Sequence, residues 1–270
     1  MLAGEPMAPY LRLRQIALVA RVLDPVERQL TSVLATEVCF RDPGVGKYGL
    51  HNALWALGGT FVEVVAPMRD GTAGGRYLDR RGGDGGYMCI VDCDDLDARR
   101  AQFGALGARI VADVRTGDAV LWSEAVHLHP KDTGGCLLSV DRHAGGMDMM
   151  GGYRWAGADW QSKARHDVVI AGAAMQCDDP AATAQRWAHL LRRPAAASAD
   201  GGHELRLDNA IVRFVAIADD RGEGLARVLL RCADPAPMLA AATAIGAATG
   251  SSWFELCGVR FVVENRPFVT

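Results

Sequence analysis

The chain has 270 residues, of which 50% are hydrophobic and 23% are charged, and its formal net charge is -3. This composition is ordinary for a globular protein with a substantial core, and the lack of a basic stripe argues against nucleic acid as a partner. The sequence contains no run of about 18 apolar residues that could cross a membrane, and residues 1–9 lack the pattern of a secretion signal.

Seven cysteines are spread singly along the chain. The closest two, Cys89 and Cys93, have three residues between them, and no second pair completes a zinc-binding set. The odd number argues against a disulfide framework. These features favour a reducing cytoplasm, with most of the cysteines serving as small apolar side chains.

One order of elements recurs four times along the chain. A short apolar strand is followed by an Asp-bearing turn, an amphipathic helix and further strands separated by glycine. The turns contain Asp24, Asp95, Asp179 and Asp234, and in three of them a proline follows directly, which suits the first helical position. The pattern predicts an α+β protein with four βαβββ modules and mixed sheets under helices. The alternative is an α+β protein without internal symmetry.

Glycine-rich and alanine-rich segments separate these units. Residues 72–86 are predicted to join the first two modules, and residues 192–202 are predicted to form a mobile loop or hairpin. The Met- and Gly-rich stretch 145–152 is the best domain boundary. We therefore predict a first domain over 10–145, a linker over 146–165 and a second, degenerate domain over 166–270. In the first module, strands are predicted over 13–19, 36–40, 48–57 and 60–66, with a helix that Asp24 caps.

Several segments of the first half resemble the vicinal-oxygen-chelate superfamily, which contains glyoxalases, bleomycin-resistance proteins and dioxygenases. The first module is similar in QIALV at 15–19, Asp24 and GTFVEVVAP at 59–67. The second is similar in GGYMCIVDCDDL at 85–96 and HLHPKDTGGCLLSV at 127–140, where methylmalonyl-CoA epimerase-like and glyoxalase-like proteins carry a comparable run. From residue 166 onward only the order of elements matches. The resemblance implies that the four modules pair into two glyoxalase-like domains with curled mixed sheets around a cleft.

The resemblance also implies a divalent metal, held by one residue from the first and the last strand of each module. Carried onto this chain, the four positions are Gln15, Glu63, Met88 and Ser139. Glu63 is a strong ligand for a hard cation and Gln15 could lend a carbonyl oxygen, but a thioether and a neutral hydroxyl are poor ligands. We therefore expect no metal site and no tightly bound cofactor, with at most a weakly held divalent metal.

Histidines form a second set of candidates. His51, His127 and His129 lie on predicted strands or at their ends, and the last two share one strand face because they are two residues apart. With Glu63 they could form the His/His/carboxylate set typical of non-haem iron. The alternative is that they are ordinary strand and turn histidines, with His129 and Pro130 starting a β-turn.

Glu63 is the best single site candidate because it interrupts an apolar strand segment, residues 61–65. It faces either solvent or a cleft, and in a cleft the loss of hydration would raise its pKa toward the range of a general base. The predicted catalytic set is Glu63, Gln15, His51 and His127, and the predicted ligand contacts are Trp55, Tyr87, Met88, Trp122 and Ser139. The alternative for the Trp and Met residues is a place in the core. Arg76, Arg80, Arg81 and Lys131 could hold a carboxylate or phosphate, or could be solvated.

Three functions are compatible with these residues. The first is a glyoxalase-like lyase, isomerase or dioxygenase-type oxidoreductase that acts on a small oxygenated molecule with Glu63 as base. The alternative is a protein that sequesters a small molecule without chemistry, as bleomycin-resistance members of the superfamily do. The third is a duplicated scaffold kept for dimerisation. The resemblance implies a homodimer, or an internal pseudo-dimer made from the four modules.

Overall fold

The computed structural model describes residues 9–266, which form two seven-stranded mixed sheets and six α-helices. Most of the opening segment without a secretion-signal pattern lies outside the described residues, as does the end of the predicted second domain, residues 267–270. Within residues 9–266, none of the helices combines the length and hydrophobicity required to cross a lipid bilayer.

The first sheet contains two modules that meet at its centre. Its strands are β1 (Leu11–Val19), β2 (Leu50–Leu57), β3 (Thr60–Pro67), β4 (Gly85–Cys93), β5 (Ile110–Gly117), β6 (Trp122–Leu128) and β7 (Leu137–His143). They lie in the order β2-β3-β1-β4-β7-β6-β5. The central strands β1 and β4 are antiparallel, and each pairs in parallel with the last strand of its own module. A parallel pair requires a crossover, which the module helix supplies.

The second sheet repeats this arrangement. Its strands are β8 (Val168–Cys177), β9 (Ala195–Ala197), β10 (His203–Arg206), β11 (Ile211–Ala216), β12 (Gly224–Cys232), β13 (Trp253–Leu256) and β14 (Val259–Asn265), in the order β13-β14-β12-β8-β11-β10-β9. Its central strands β8 and β12 are antiparallel, and they pair in parallel with β11 and β14. The predicted α+β fold of four modules in two curled mixed sheets is confirmed.

The six helices of residues 9–266 pack mainly against the core face of the two sheets, and one of them, Ala73–Arg81, packs against the other face of the first sheet. They are α1 (Leu23–Leu34), α2 (Ala73–Arg81), α3 (Leu96–Ala105), α4 (Pro130–Thr133), α5 (Pro180–Leu191) and α6 (Ala236–Ala244). Helix α1 buries Val26, Leu30 and Val33 at helical spacing, and it packs against α6 of the other half. The indole of Trp187 on α5 packs edge-on to Phe214 and donates to a carbonyl of the first half, so one core joins both sheets.

The prediction for one segment was wrong, and two others hold with added detail. Residues 36–40 form no strand, because Phe40 makes only a single bridge to β2 and a 3-10 helix follows over 43–48. Residues 72–86 join the first two modules as predicted, and they contain α2, which Thr72 caps through Gly75 and which buries Tyr77. Residues 192–202, predicted as a mobile loop or hairpin, contain the edge strand β9, which forms an antiparallel hairpin with β10. The glycine- and alanine-rich sequence did not reveal α2 or β9, which capping and strand pairing stabilise.

Residues 144–165, which include the predicted linker, pack onto the first sheet. Arg12 on β1 forms a buried ion pair with Asp92 at 2.9 Å and donates to the carbonyl oxygen of Met147 at 2.8 Å. Arg14 donates to the carbonyl oxygen of Met149 at 2.7 Å. The segment is therefore held by charge-assisted hydrogen bonds from the sheet. The division into domains at residues 145 and 166 stays a prediction.

The four module aspartates test the predicted helix starts. Asp179 accepts a hydrogen bond from the amide of Ala182 and caps α5, whereas α1 begins at Leu23 without a side-chain cap, and Asp24 lies inside its first turn. We expect Asp179→Ala to lower the free energy of unfolding by about 1 kcal/mol. Asp24→Ala should cost less than half as much in the same urea titration, because no capping bond is lost. Equal losses would contradict this assignment.

Candidate active site

The open face of the first sheet lines a cleft with a volume of about 1870 Å³. In the register of the sheet, Ala17 lies between Glu63 and Met88, while Gln15 and Ser139 flank Ile90. Paired residues of neighbouring strands share a face, and so do residues two apart along one strand. Gln15, Glu63, Met88 and Ser139 therefore lie on one face of the first sheet.

Glu63 is held between two side-chain amides. The Nε2 atom of Gln15 donates to Oε2 of Glu63 at 2.7 Å, and the Nδ2 atom of Asn52 on β2 donates to Oε1 at 2.6 Å. Each carboxylate oxygen thus has one N–H donor and retains a lone pair for a further partner. Asn52 was missed from the sequence because its position opposite Val65 follows only from the β2–β3 register.

The orientation of both amides is fixed from their far ends. The hydroxyl of Tyr153 donates to Oε1 of Gln15 at 2.7 Å, and the backbone amide of Asp42 donates to Oδ1 of Asn52 at 2.8 Å. A rotated amide would lose one of these bonds and place an oxygen against the Glu63 carboxylate. Two N–H groups are therefore directed at Glu63 before any ligand arrives.

Burial raises the pKa of Glu63 to about 7. Only 7% of the residue is exposed, so the charged form loses most of its hydration. Nearby Asp42 also raises the pKa, while the bonds from Asn52 and Gln15 oppose the shift. The carboxyl group therefore titrates near neutral pH, where a group can both take up and release a proton.

Asp141 on β7 is a second carboxyl group of the cleft that was missed from the sequence. It accepts hydrogen bonds from the Ser139 hydroxyl and, at 2.9 Å, from Nε1 of Trp155. Burial raises its pKa to about 7 as well. Ser139 occupies the position in the second module that Glu63 occupies in the first. Asp141 follows two residues later and therefore lies on the same face of β7. This two-residue spacing in the sequence could have indicated that Asp141 faces the cleft.

Residues 153–160 cover one side of the cleft floor. The ring of Tyr153 stacks on Phe61 with centroids 4.4 Å apart, and Trp160 packs edge-on to the same ring at 4.9 Å. Tyr153 thereby reaches Gln15, and Trp155 reaches Asp141. The segment predicted as a linker thus supplies a hydrogen bond to each half of the site.

The structure separates the three candidate histidines. His127 lines the cleft, and burial lowers its pKa to about 4, with Lys47 adding to the shift, so the imidazole is neutral at pH 7. His129 caps α4, where its Nδ1 accepts from the Lys131 amide, so a one-turn helix replaces the expected β-turn. His51 is exposed on the face of β2 opposite to Asn52 and does not line the cleft.

The donor set of the four superfamily positions does not fit a divalent metal. Gln15 presents its NH₂ group to Glu63 while its oxygen is bonded to Tyr153, and the Ser139 hydroxyl is turned to Asp141. That leaves one carboxylate and the soft thioether of Met88. Across residues 9–266, no three His, Cys, Asp or Glu side chains are grouped closely enough to hold a metal ion, so the set of His127, His129 and Glu63 is not assembled.

The predicted ligand contacts divide into two groups. Tyr87 and Met88 line the cleft, since a β-bulge at Tyr87 lets neighbouring residues face the same side. Trp55 lies fully buried under α1, where its Nε1 donates to Thr31 at 3.0 Å, so it belongs to the core. Trp122 lies outside the cleft lining, with the guanidinium of Arg115 4.9 Å from its ring centroid.

Basic side chains surround the mouth of the cleft. Lys47, Arg76, Arg80 and Lys131 are among its lining residues. Arg81 has a structural role, because its Nη1 donates to the carbonyl oxygens of residues 221–223 and ties α2 to the second half. The remaining cations favour a ligand that carries a carboxylate or phosphate.

Three comparisons with known proteins agree with this geometry. A family model described as a glyoxalase-like domain matches residues 39–191. The ethylmalonyl-CoA/methylmalonyl-CoA epimerase of Cereibacter sphaeroides is 23% identical over 131 residues, which cover 48% of this chain and 97% of that protein. A solved structure of a hypothetical protein from Staphylococcus aureus has a TM-score of 0.65 and 11% identity, and the match covers 94% of this chain and 98% of that chain. The last similarity supports the fold of the part of the chain that it covers.

The raised pKa of Glu63 makes stability depend on pH. Above its ordinary pKa of 4.5 the carboxyl group ionises in the unfolded chain but stays protonated in the folded one until about pH 7. The free energy of unfolding should therefore fall as pH rises from 4.5 to 7. In Glu63→Gln the decrease in the free energy of unfolding between these pH values should be smaller by up to about 3 kcal/mol, as measured by urea titration at several pH values. The exposed Glu37→Gln is the control, and an unchanged pH slope in Glu63→Gln would contradict the assignment.

Proposed function

We propose that this chain, which belongs to the glyoxalase-like domain family, binds a small oxygenated organic molecule in the cleft of its first sheet and transfers a proton on it, with Glu63 as the general base. The observation that carries the proposal is the Glu63 carboxyl group, which is buried, titrates near pH 7 and is oriented by two fixed amides. A carboxyl group with a pKa near 7 is suited to general-base catalysis at neutral pH.

The reaction that suits this site is proton abstraction from a carbon next to a carbonyl. Ionised Glu63 takes the proton and the electron pair moves into an enolate. A second group then returns a proton to the same or a neighbouring carbon, which gives an isomerase. Asp141 can supply that proton, since its pKa near 7 leaves it partly protonated at neutral pH. Neutral His127 retains an N–H that could donate to the enolate oxygen.

This chemistry is proposed without a tightly bound metal. The superfamily positions offer one strong oxygen ligand, and the amide of Gln15 presents hydrogens where a cation would need an oxygen. We propose that these N–H groups stabilise the ionised form of Glu63 instead. Glu63 is the residue of the four that would hold a weakly bound divalent ion, which would supply Lewis-acid chemistry.

The substrate we propose is an acid or thioester with an anionic portion. The basic residues Lys47, Arg76 and Lys131 at the mouth of the cleft support this class, and the Cereibacter sphaeroides relative is named for ethylmalonyl-CoA and methylmalonyl-CoA. These two thioesters are therefore the first compounds to test. The size of the cleft leaves room for a ligand considerably larger than its reacting group.

Sequestration of a small molecule is the second candidate function. The observation in its favour is the mainly apolar and aromatic lining that Tyr48, Tyr87, Ile90 and Trp155 give to the large cleft. A sequestering protein needs binding but no proton transfer. The two functions therefore differ in whether a bound ligand exchanges a carbon-bound hydrogen with solvent.

Deuterium exchange tests the proposed chemistry. Incubation with each thioester in D₂O should introduce deuterium next to the carbonyl, detected by mass spectrometry. Glu63→Gln should lower the exchange rate at least about 100-fold, because the base is lost, and should abolish the rise of rate with pH near neutrality. The matched change Glu37→Gln, outside the cleft, should leave the rate unchanged.

Two results would overturn this function. Exchange that persists in Glu63→Gln with the same pH profile would exclude Glu63 as the base. Tight binding of a thioester without any exchange would favour sequestration, and binding by Glu63→Gln at unchanged affinity would strengthen that conclusion.

A further inference from the structure

The second sheet repeats the first down to its irregularities. The β1–β4 pairing skips Arg14 on one strand and Tyr87 on the other, and the β8–β12 pairing skips Ala171 and Ala226. In both sheets three paired residues of the first strand, 15–17 and 172–174, lie between the two irregularities. The two central ladders can therefore be aligned residue by residue.

This alignment inverts the charge of the site. Ala17 pairs with Glu63 and Met88 in the first sheet, and Ala174 pairs with Arg213 and Arg227 in the second. An arginine thus occupies the position of the general base. Gly172 occupies the position of Gln15, and a Cβ atom there would lie 2.2 Å from the carbonyl oxygen of Ile211, so the position admits no side chain.

Neighbouring arginines on this face already have carboxylate partners. Arg206 pairs with Glu204 at 2.5 Å, and Arg260 pairs with Glu255 at 2.7 Å. By contrast, within residues 9–266 neither Arg213 nor Arg227 forms a salt bridge or a side-chain hydrogen bond, and Nε of Arg213 is buried without a partner. A buried N–H without an acceptor is costly, which indicates that an acceptor is supplied from outside the chain.

The surroundings leave this face open to a small molecule. Helices α5 and α6 bury Trp187 and Met238 in the core on the opposite side of the sheet. Glu204 lies directly opposite Arg213 in the β10–β11 register, but its carboxylate is bonded to Arg206. The pKa of Asp200 is lowered first by a hydrogen bond from Ser198 and to a smaller degree by Arg213. Asp200 is exposed, so its charge is largely screened by water.

We propose that the open face of the second sheet binds a small anion, a carboxylate or phosphate group of a metabolite, between Arg213 and Arg227. Arg213 and Arg227 lie on the two strands that flank β8, each directly beside Ala174. Their Cα atoms are therefore two strand spacings apart, about 10 Å. Two guanidinium groups at that separation can approach one anion from both sides, and each can form paired N–H bonds to its oxygens. The site is independent of the proton transfer proposed for the first sheet.

Anion titration of the full chain tests this site. Inorganic phosphate and malonate are titrated by calorimetry, and the Arg Nε–H signals are followed by NMR. Saturable binding of either anion, with the Arg213 signal shifted, is expected, and the anion that binds more tightly identifies the class. Arg213→Gln and Arg227→Gln should each weaken binding about tenfold or more. Arg28→Gln on the exposed side of α1 and Glu63→Gln should not.

Several outcomes would overturn the site. The site is overturned if phosphate and malonate both fail to bind at concentrations on the order of 10 mM. It is also overturned if Arg28→Gln and Arg213→Gln lose affinity equally. If the Arg213 and Arg227 variants fail to fold, the wild-type NMR titration decides alone, and unshifted Arg213 and Arg227 signals count against the site. Anion binding at Arg213 and Arg227 does not depend on the activity that Glu63→Gln is expected to lose. Failure of one proposal can therefore be distinguished from failure of the other.

Discussion

The contact on which the site depends is the Glu63 carboxyl group enclosed between the amides of Gln15 and Asn52. Burial disfavours the ionised form of Glu63, and the two N–H groups partly stabilise it, so the pKa lies near 7. The amides can act this way because Tyr153 and the backbone of Asp42 fix their orientation. The pKa of one carboxyl group is therefore set by residues from three strands and two loops.

The common face of Gln15, Glu63 and Met88 was expected from the resemblance to the vicinal-oxygen-chelate superfamily. The alternation of side chains along the strand could not show it, because Glu63 has apolar residues on both sides, and these neighbours only favoured a cleft over solvent. The hydrogen-bond partners could not be predicted, since Tyr153 is 138 residues from Gln15 in the chain. The fold of 144–165 depends on buried arginines of β1 that bond to its carbonyl groups. The glycine-rich sequence of residues 144–165 has no periodicity from which this packing could be predicted.

Duplication of the module kept the backbone and changed the chemistry. Both sheets have the same strand order and the same pair of bulges, features set by backbone pairing and by the apolar face under the helices. The residues on the open faces are free of that constraint, so the position that Glu63 occupies in the first sheet is occupied by Arg213 in the second. The sequence showed the repeat of elements, but the inversion of charge emerged only from the register.

The most direct test of this account is the pKa of Glu63, measured by ¹³C NMR titration of glutamate carboxyl carbons, with the Glu63 signal assigned by its absence in Glu63→Gln. Burial of the carboxyl group predicts a midpoint at about pH 7. A midpoint near the ordinary value of 4.5 would show that burial does not raise the pKa of Glu63, and it would contradict the assignment of Glu63 as a general base.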